Sequence, residues 1–245
     1  MGIGFTAIYL FAVPLLYKKR PKASDFLLAD GQQKLKLLQL SDERVDYKMK
    51  KIQKQAIPQI DVILHHVVWT VTPRPVWIVG TCNEDGSQNL STITSISNTP
   101  GPPENIIVSM AAKRTTANIL RTGEFSVNLV NAEMAALADY VGSVSGENCV
   151  KDAVPYDFTW GEKMRVPVLG ASHCAFECKV SHTHVVGGFH TFFGEAANLH
   201  LDESLIPPRD SQEAVREWFK GLDVSKTDPM IYHSVLKYFR VGEKI

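Results

Sequence analysis

A run of hydroxyl and basic residues in the middle of the chain has the composition of a phosphate site. In order, its residues are Ser109, Lys113, Arg114, Thr115 and Thr116. The serine ends a predicted strand, and one of the threonines is expected to cap a short helix that stops at Gly123. The start of a helix carries free N–H groups and about half a positive charge. The segment therefore predicts either a phosphate cradle or an ordinary capped helix beside a solvated basic turn.

A second hydroxyl-rich segment lies closer to the N-terminus. From Gln88 to Ser97, apolar and hydroxyl residues alternate with a period of about two, as in a strand with one buried face. Because the alternation is not strict, we expect a bulge or a twist that turns Thr92, Thr94 and Ser95 towards one cleft. Such a cleft would offer hydrogen bonds to one edge of a flat ligand. The alternative is an exposed strand that is merely rich in hydroxyls.

Paired glycines, Gly187 and Gly188, stand directly before an aromatic strand that contains His190. Glycines in this position allow the backbone to approach a flat group closely. His190 is therefore a candidate hydrogen-bond donor to a bound ligand, and it is the catalytic residue that we predict. The alternative is a histidine that serves only the structure of the strand.

A metal site is not predicted, although histidines and cysteines cluster nearby. Two histidines, His182 and His184, share one strand face. Close to them in sequence are His173, Cys174 and Cys178. This group lacks the spaced carboxylate and the tight Cys/His pairing that would indicate a metal site. The sequence also lacks a Walker-type or dinucleotide-binding glycine loop and a recognisable serine or cysteine nucleophile.

The composition favours a folded protein with a small-molecule partner. Lysine plus arginine and aspartate plus glutamate are equal at 26 each, so the formal net charge is zero. No global attraction to nucleic acid follows from this balance. The hydrophobic fraction of 44% is sufficient for a core. The four cysteines form no Cys-x-x-Cys pair, and we expect reduced thiols in a cytoplasmic protein.

The first residues raise the question of a membrane anchor. Residues 2–17 are almost wholly apolar, but a helix of this length would be about 24 Å long, shorter than the ~30 Å hydrocarbon core. Pro14 interrupts the run, and no basic residue precedes it. Gly2 and Thr6 fit the permissive N-myristoylation pattern. Membrane association through residues 2–17 stays open, but we favour a loosely held extension or a wrongly assigned start.

Short strands dominate the rest of the chain. The pair Asp85-Gly86 is a strong hairpin signal between two of them. The predicted strands are 75–82, 88–97, 105–110, 124–130, 175–184 and 190–201, and further helices are predicted at 132–141 and 214–219. Many short strands with few helices predict a mainly β fold built on a small barrel. We place this domain at residues 62–245, after an N-terminal extension at 1–61 made of the apolar leader and a charged arm.

Five segments, taken in order, resemble the FMN-binding split β-barrel proteins of the flavin reductase and flavoredoxin type. PVWIVGTCNEDGSQNLSTIT is similar to the opening hairpin of that family, and SMAAKRTTANILRTGEFSVNLV is similar to its phosphate turn, short helix and next strand. Three later segments match in the same order: ADYVGSVSGENCVKD, FECKVSHTHVVGGFHTFFGEA and YFRVGEKI. The resemblance runs from about Val67 to Ile245. Pyridoxamine-phosphate oxidase relatives share the architecture but match the late segments less well.

The resemblance implies a Greek-key split barrel that forms a homodimer and binds FMN near the subunit interface. The residues that would line the flavin ring or ribityl chain are Asn89, Thr92, Thr94 and Ser95. Those that would surround the phosphate are Ser109, Lys113, Arg114 and Thr115. Ser145 and Gly146 would lie on the flavin, and His190 would approach it from a late strand.

The implied function is that of an FMN-binding flavoprotein oxidoreductase. In this interpretation, NADH or NADPH delivers hydride to the flavin, and electrons pass on to a small-molecule redox substrate. One alternative is an FMN-binding electron carrier without direct NAD(P)H activity. Another is a non-catalytic split-barrel interaction module, motivated by Glu147, which stands where the family has a basic residue.

Overall fold

The computed structural model describes residues 72–101, 103–146, 151, 153–223, 227–232 and 238–240. The predicted extension at 1–61 and the question of membrane association through residues 2–17 lie outside these residues. The predicted domain boundary at residue 62 and the substitution at Glu147 also lie outside them.

Strands make up most of the described chain. They are β1 Arg74–Pro75, β2 Trp77–Cys82, β3 Gln88–Ile93, β4 Ile96–Thr99, β5 Asn105–Ala111, β6 Glu124–Leu129, β7 Phe158–Trp160, β8 Pro167–Leu169, β9 Cys174–Val186, β10 Phe189–Leu201, β11 Met230–Tyr232 and β12 Tyr238–Arg240. The helices are α1 Arg114–Thr122, α2 Ala135–Ser143 and α3 Gln212–Gly221, with 3₁₀ turns at Ala132–Met134 and Glu203–Leu205. None of these helices is long and apolar enough to cross a membrane. The prediction of a mainly β fold with short helices is confirmed.

Seven strands form one antiparallel sheet that closes on itself. Their order is β3-β2-β6-β9-β10-β5-β4, so β3 and β4 lie at opposite edges. In a flat sheet with about 4.8 Å between strands, those edges would be about 29 Å apart. Only Thr94 and Ser95 separate β3 from β4, and the three Cα–Cα steps across them span at most about 11 Å. The sheet is therefore curled into a barrel whose edges meet at Thr94 and Ser95.

The predicted single strand 88–97 is two strands in the structure. β3 pairs with β2 as far as Ile93, and β4 pairs with β5 from Ile96 onwards. The N–H of Ser109 donates to the carbonyl of Ser95 at 3.0 Å and holds the bend against β5. The expected twist is therefore a sharp bend, because the chain passes here directly from one edge strand of the sheet to the other.

Strand β2 is buried on both faces, which explains its unbroken apolar sequence. Ile78 packs on one face against the α2 residues Leu137 and Val141. Val79 points into the barrel interior, where it shares a core cluster with Phe192. This double burial fixes β2 as the central wall between the barrel and α2.

Helix α1 begins earlier than predicted and has no threonine cap. Its N-cap is Lys113, whose side chain makes no capping hydrogen bond. Thr115 and Thr116 lie inside the helix and are buried, and Thr116 Oγ1 donates to the carbonyl of Ala111 at 2.7 Å. The predicted cap is therefore wrong, because packing against the barrel uses those hydroxyls. The predicted stop is confirmed: Gly123 has a φ of 71° and ends the helix.

Two smaller sheets are not predicted by the sequence pattern. One is the hairpin of β7 and β8, and the other has the order β1-β11-β12. Their strands contain only two or three residues, which is too short to show a period of two. Their positions are set by pairing with distant segments of the chain.

Candidate functional site

A cleft of about 370 Å³ opens beside the bend that joins β3 to β4. Six of the residues predicted to bind a cofactor line it, namely Thr92, Thr94, Ser95, Ser109, Lys113 and Thr115. They come from the β3–β4 bend, from β5 and from the start of α1, and barrel closure brings these three stretches together. The volume of the cleft lies within the range of small-molecule sites.

The start of α1 gives one part of this cleft a positive character. Lys113 lines the cleft directly before the nine-residue helix. The first N–H groups of a helix have no partner within it and carry about half a positive charge. The cleft can therefore bind a phosphate at α1 and offer hydroxyls to the remainder of a ligand.

The hydroxyl of Ser109 is held in place by the neighbouring strand. Thr191 lies opposite Ser109 in the β5–β10 pair, and Thr191 Oγ1 donates to Ser109 Oγ at 3.1 Å. Phe189 lies two residues before Thr191, on the same face of β10, and also lines the cleft. Pairing with β10 thus orients the serine and adds an aromatic wall.

The structure does not bring His190 into this cleft. Because successive residues of a strand point to opposite faces, His190 faces away from Phe189 and Thr191. Its ring stacks on that of Phe192, with centroids 6.0 Å apart and an interplanar angle of 16°. Phe192 is fully buried in the barrel interior. His190 instead lines a separate groove along α1, and its catalytic role stays a prediction.

Asn89 is also outside the wall of the cleft, and its amide positions α1. The side chain is 5% exposed, and Nδ2 donates to both Thr81 Oγ1 and Thr115 Oγ1 at 3.0 Å. The amide of Asn118 donates to the same Thr81 Oγ1 at 3.0 Å and to Asn83 Oδ1 at 2.9 Å. This buried network ties β2, β3 and α1 together. Sequence reasoning missed Thr81 and Asn118, because nothing local marks them as partners.

Gly146 lies against the start of α1. A Cβ at this position would be 2.9 Å from Asn89 Oδ1 and 3.2 Å from Arg114 Cδ, so only a glycine fits without displacing them. Ser145 precedes it and is half-buried. The lining of the cleft includes neither of these two residues nor Arg114, which lines the groove. These three predicted cofactor residues therefore lie next to the site rather than in its wall.

Thr92 both lines the cleft and holds α2 against the barrel. Its Oγ1 donates to the carbonyl of Ala138 at 2.5 Å. Lys151 adds a second link, because its Nζ donates to the carbonyls of Leu90 at 2.8 Å and Val141 at 2.7 Å. Helix α2 is thus fixed beside the hydroxyl strand from two directions.

Two tyrosines that sequence reasoning missed also line the cleft. The rings of Tyr232 and Tyr238 meet at 62° with centroids 5.6 Å apart, and Tyr238 Oη donates to Asp139 Oδ1 at 3.3 Å. Burial, reinforced by the negative charge of Asp139, raises the pKa of Tyr238 to about 12. Tyr238 is therefore a protonated donor at neutral pH. The late YFR motif marks Tyr238, whereas no sequence signal marks Tyr232.

A buried carboxylate away from the cleft, that of Glu177, holds a loop. It is fully buried and accepts hydrogen bonds at 2.8–2.9 Å from the three backbone N–H groups of residues 162–164. Asn198 Nδ2 donates to it at 2.8 Å, and His200 Nε2 lies 2.7 Å away. Burial alone would raise the pKa of Glu177, but these hydrogen bonds outweigh burial and lower it to about 2. The group is thus a charged structural clamp.

The described residues include no group of three or more His, Cys, Asp or Glu side chains placed to hold a metal ion. Three of the four cysteines are described, and all three, Cys82, Cys174 and Cys178, are free thiols. Burial raises the pKa of Cys174 to about 11 and that of Cys178 to about 12, so these thiols are protonated at neutral pH.

Comparisons with known proteins identify the family and the fold. The family model described as flavin reductase like domain matches residues 70–233. The flavoredoxin of Desulfovibrio vulgaris (Miyazaki F) is 28% identical, with a TM-score of 0.61 over 72% of this chain and 91% of its own. Flavoredoxin from Methanosarcina acetivorans is 25% identical, with a TM-score of 0.60 over 71% of this chain and 88% of its own. The 2-nitrobenzoate 2-nitroreductase of Pseudomonas fluorescens shares the fold, with a TM-score of 0.65 at 22% identity over 80% of this chain and 93% of its own.

Proposed function

We propose a function from the premise that this chain belongs to the flavin reductase-like domain family, whose model matches most of its length. Membership of this family supports the assignment of the chain as a flavin-binding oxidoreductase. We propose further that the flavin is FMN and that NADH or NADPH supplies the hydride. The reducing equivalents then pass to a small-molecule redox substrate.

One observation carries this proposal: barrel closure assembles the predicted hydroxyls and Lys113 in one cleft. Lys113 and the start of α1 suit the phosphate of FMN. The hydroxyls of Thr94, Ser95 and Ser109 suit the polar edge of the flavin ring and the ribityl chain. When bound, the flavin supplies hydride chemistry, so the protein needs to provide position and polarity rather than a nucleophile.

The other predicted residues act on the cleft indirectly in this proposal. Asn89 fixes Thr115 through a buried hydrogen bond and thereby sets the position of the first turn of α1. Gly146 keeps the backbone close to Asn89 and Arg114. Arg114, beside the helix start, adds positive charge to the phosphate end without lining the cleft.

We also propose a homodimer that uses the tip of the β9–β10 hairpin. Val185, Val186 and Phe189 at this tip are 53%, 64% and 54% exposed. Gly187 and Gly188 form the turn between the strands with positive φ values. Because Phe189 also lines the cleft, a second copy that covers the tip would exclude water from the edge of the cleft.

A second candidate is an FMN-binding electron carrier without direct NAD(P)H activity. The observation that favours it is the sequence similarity to two flavoredoxin structures, at 28% and 25% identity. The carrier would use the same cleft and the same phosphate contacts. The two candidates differ only in their reaction with a nicotinamide nucleotide.

An absorbance spectrum of the purified full chain tests these proposals. The protein is loaded with FMN and freed of excess flavin, and NADPH or NADH is then added without oxygen. Loss of the visible flavin bands supports the reductase. Bands that persist with both nucleotides but disappear with dithionite support the carrier. A colourless protein that also fails to bind added FMN in a titration contradicts both and leaves the interaction module.

A further inference from the structure

A second concave surface lies next to the cleft and shares with the proposed flavin site the two basic residues Lys113 and Arg114. It is a groove of about 510 Å³ along helix α1, called the α1 groove below. Its charged lining residues are Lys113, Arg114, Arg121 and Glu84, and His190 also lines it. We propose that the α1 groove binds a phosphate- or diphosphate-bearing small molecule other than the flavin.

The charge of the groove points to an anion. Three cationic side chains line the groove together with one carboxylate, that of Glu84. The Asp85 carboxylate, which accepts hydrogen bonds from Ser87, also interacts electrostatically with Arg114. Among the described residues, neither Lys113 nor Arg114 forms an ion pair within 4.0 Å. Arg121 Nη2 donates to the carbonyl of Cys82 at 2.6 Å, which fixes its guanidinium and leaves further N–H groups for a ligand. Guanidinium and ammonium groups that lack a carboxylate partner are typical of phosphate recognition.

His190 supplies an independent observation. Its Nδ1 is buried and has no hydrogen-bond partner among the described residues. The residue as a whole is partly exposed and lines the groove. A buried N–H without an acceptor costs more free energy than a buried lone pair without a donor. A neutral ring with its hydrogen on Nε2 avoids this cost. Stacking on Phe192 holds the ring in this orientation, with Nε2–H available as a donor to an anion in the groove.

The α1 groove is distinct from the flavin cleft. Among the described residues, Lys113 is the one that lines both, and the remaining lining residues of the two surfaces differ. The groove also includes Leu120, which is 56% exposed and gives an apolar contact for the part of a ligand that is not phosphate. Because the linings differ, flavin and the second ligand are expected to bind together, with weak competition for the charge of Lys113.

Calorimetric titration of the full chain with pyrophosphate in a phosphate-free buffer tests the inference. The titration is done on the flavin-free protein and on the protein saturated with FMN. We expect binding in both states, with at most a few-fold weaker affinity when FMN is present. A parallel titration with ADP distinguishes a nucleotide site from a site for the free diphosphate, because tighter binding of ADP assigns the nucleotide. Binding to the flavin-free protein can be measured even if FMN is not retained, so this test does not depend on the proposed function.

Two substitutions in the groove give opposite expected results. Glu84→Gln removes the one carboxylate found among the described lining residues and is expected to tighten pyrophosphate binding about threefold, which misfolding could not produce. His190→Phe keeps an aromatic ring but removes the donor, and is expected to weaken binding about tenfold, as for one hydrogen bond to a charged group. Glu133→Gln and His184→Phe are matched controls at exposed positions outside the groove and should leave affinity unchanged.

Nitrogen NMR of the imidazole adds a direct readout. Pyrophosphate should shift the Nε2 resonance of His190 and leave that of His184 in place. Failure to bind pyrophosphate at 10 mM, about ten times a Kd of 1 mM, would overturn the inference. So would binding that is abolished by saturating FMN, since the groove would then be the flavin phosphate site itself. Affinity that is insensitive to both Glu84→Gln and His190→Phe would also overturn it.

Discussion

Polar side chains near the cleft divide into those that face it and those that hold its walls. Ser109 and Lys113 line the cleft, whereas the donor groups of Asn89 and Lys151 are hydrogen-bonded to other parts of the protein. A substitution in the first group should change ligand affinity at unchanged stability. A substitution in the second group should change both, because it shifts α1 or α2.

Lys113→Gln tests the phosphate end of the cleft. The change removes the ammonium beside the start of α1, so we expect FMN affinity to fall about tenfold. Riboflavin lacks the phosphate, and its affinity should change by less than about twofold. Fluorescence titration with both flavins measures the difference, and Lys179→Gln on the exposed side of β9 is the control. An equal loss for the two flavins would contradict a phosphate role for Lys113.

Glu177→Gln tests the buried clamp. The partners of this carboxylate include three backbone N–H groups and the amide of Asn198, which are donors, so a glutamine NH₂ would face other donors. We expect a loss of about 3 kcal/mol in the free energy of unfolding at pH 7. Urea denaturation measures it, with Glu195→Gln at an exposed position of β10 as the control. A fall in the free energy of unfolding of less than about 1 kcal/mol would show that the Glu177 hydrogen bonds contribute little to stability.

The lowered pKa of Glu177 also predicts how the stability of the fold depends on pH. The pKa of Glu177 is about 2 in the folded protein, against an ordinary value of 4.5. A depressed pKa stabilises the fold fully above pH 4.5, and this contribution is lost as the pH falls towards 2. Wild-type stability should therefore decline over that window by more than the stability of Glu177→Gln. Parallel declines in urea denaturation series would exclude Glu177 as a source of acid sensitivity.

At the scale of the elements, strand β10 depends on a glycine where it passes over the barrel core. A Cβ on Gly194 would be 2.4 Å from Phe125 Cζ and 2.9 Å from Cys178 Cβ. The register between β9 and β10 also shifts between Phe193 and Gly194, which indicates a bulge. The ring of Phe125 is thus packed directly against the β10 backbone.

Gly194→Ala should therefore overpack the barrel interior. We expect the free energy of unfolding to fall by about 2 kcal/mol, because both neighbours are fully buried and have little room to move. Thermal and urea denaturation measure the change. Gly221→Ala is the matched control, since among the described residues no atom beyond its chain neighbours and its own helix backbone lies within 4 Å of the added Cβ. Equal stability of the two variants would contradict the close packing at Gly194.

At the scale of the whole molecule, the cleft exists because the barrel closes. Thr94 and Ser95 lie at the seam between β3 and β4, and the seam faces β5 and α1. The positions of the cleft residues relative to one another therefore depend on the closure of the sheet. The β9–β10 hairpin extends beside the same cleft and carries its exposed apolar tip.

Val186→Asp tests whether that tip joins two copies of the chain. A carboxylate in an apolar contact is costly to desolvate, so we expect the dimer dissociation constant to rise at least about tenfold. Size-exclusion chromatography with light scattering measures the mass across a concentration series. Leu199→Asp is the control, because Leu199 is 48% exposed and lies far along β10 from the tip. A wild-type protein that is monomeric at all concentrations would contradict the proposed dimer.

Local signals in the sequence determined the family and the order of the elements. The turn at Asp85-Gly86, the stop at Gly123 and the hydroxyl pattern after Gln88 each depend on residues a few positions apart. Such signals are readable because turn chemistry and strand alternation are short-range properties of the backbone. The family resemblance, now confirmed, extends these local patterns and their order along the chain.

Which of those residues share a surface depends on the tertiary structure. It placed Thr94, Ser109 and Lys113 in one cleft, turned His190 to the other face of β10, and committed the amide of Asn89 to a buried network. Each of these outcomes depends on strand order, register and barrel closure, which bring together segments far apart in the chain. The sequence therefore predicted a site of hydroxyl and basic residues, and the folded barrel determined which of these side chains line it.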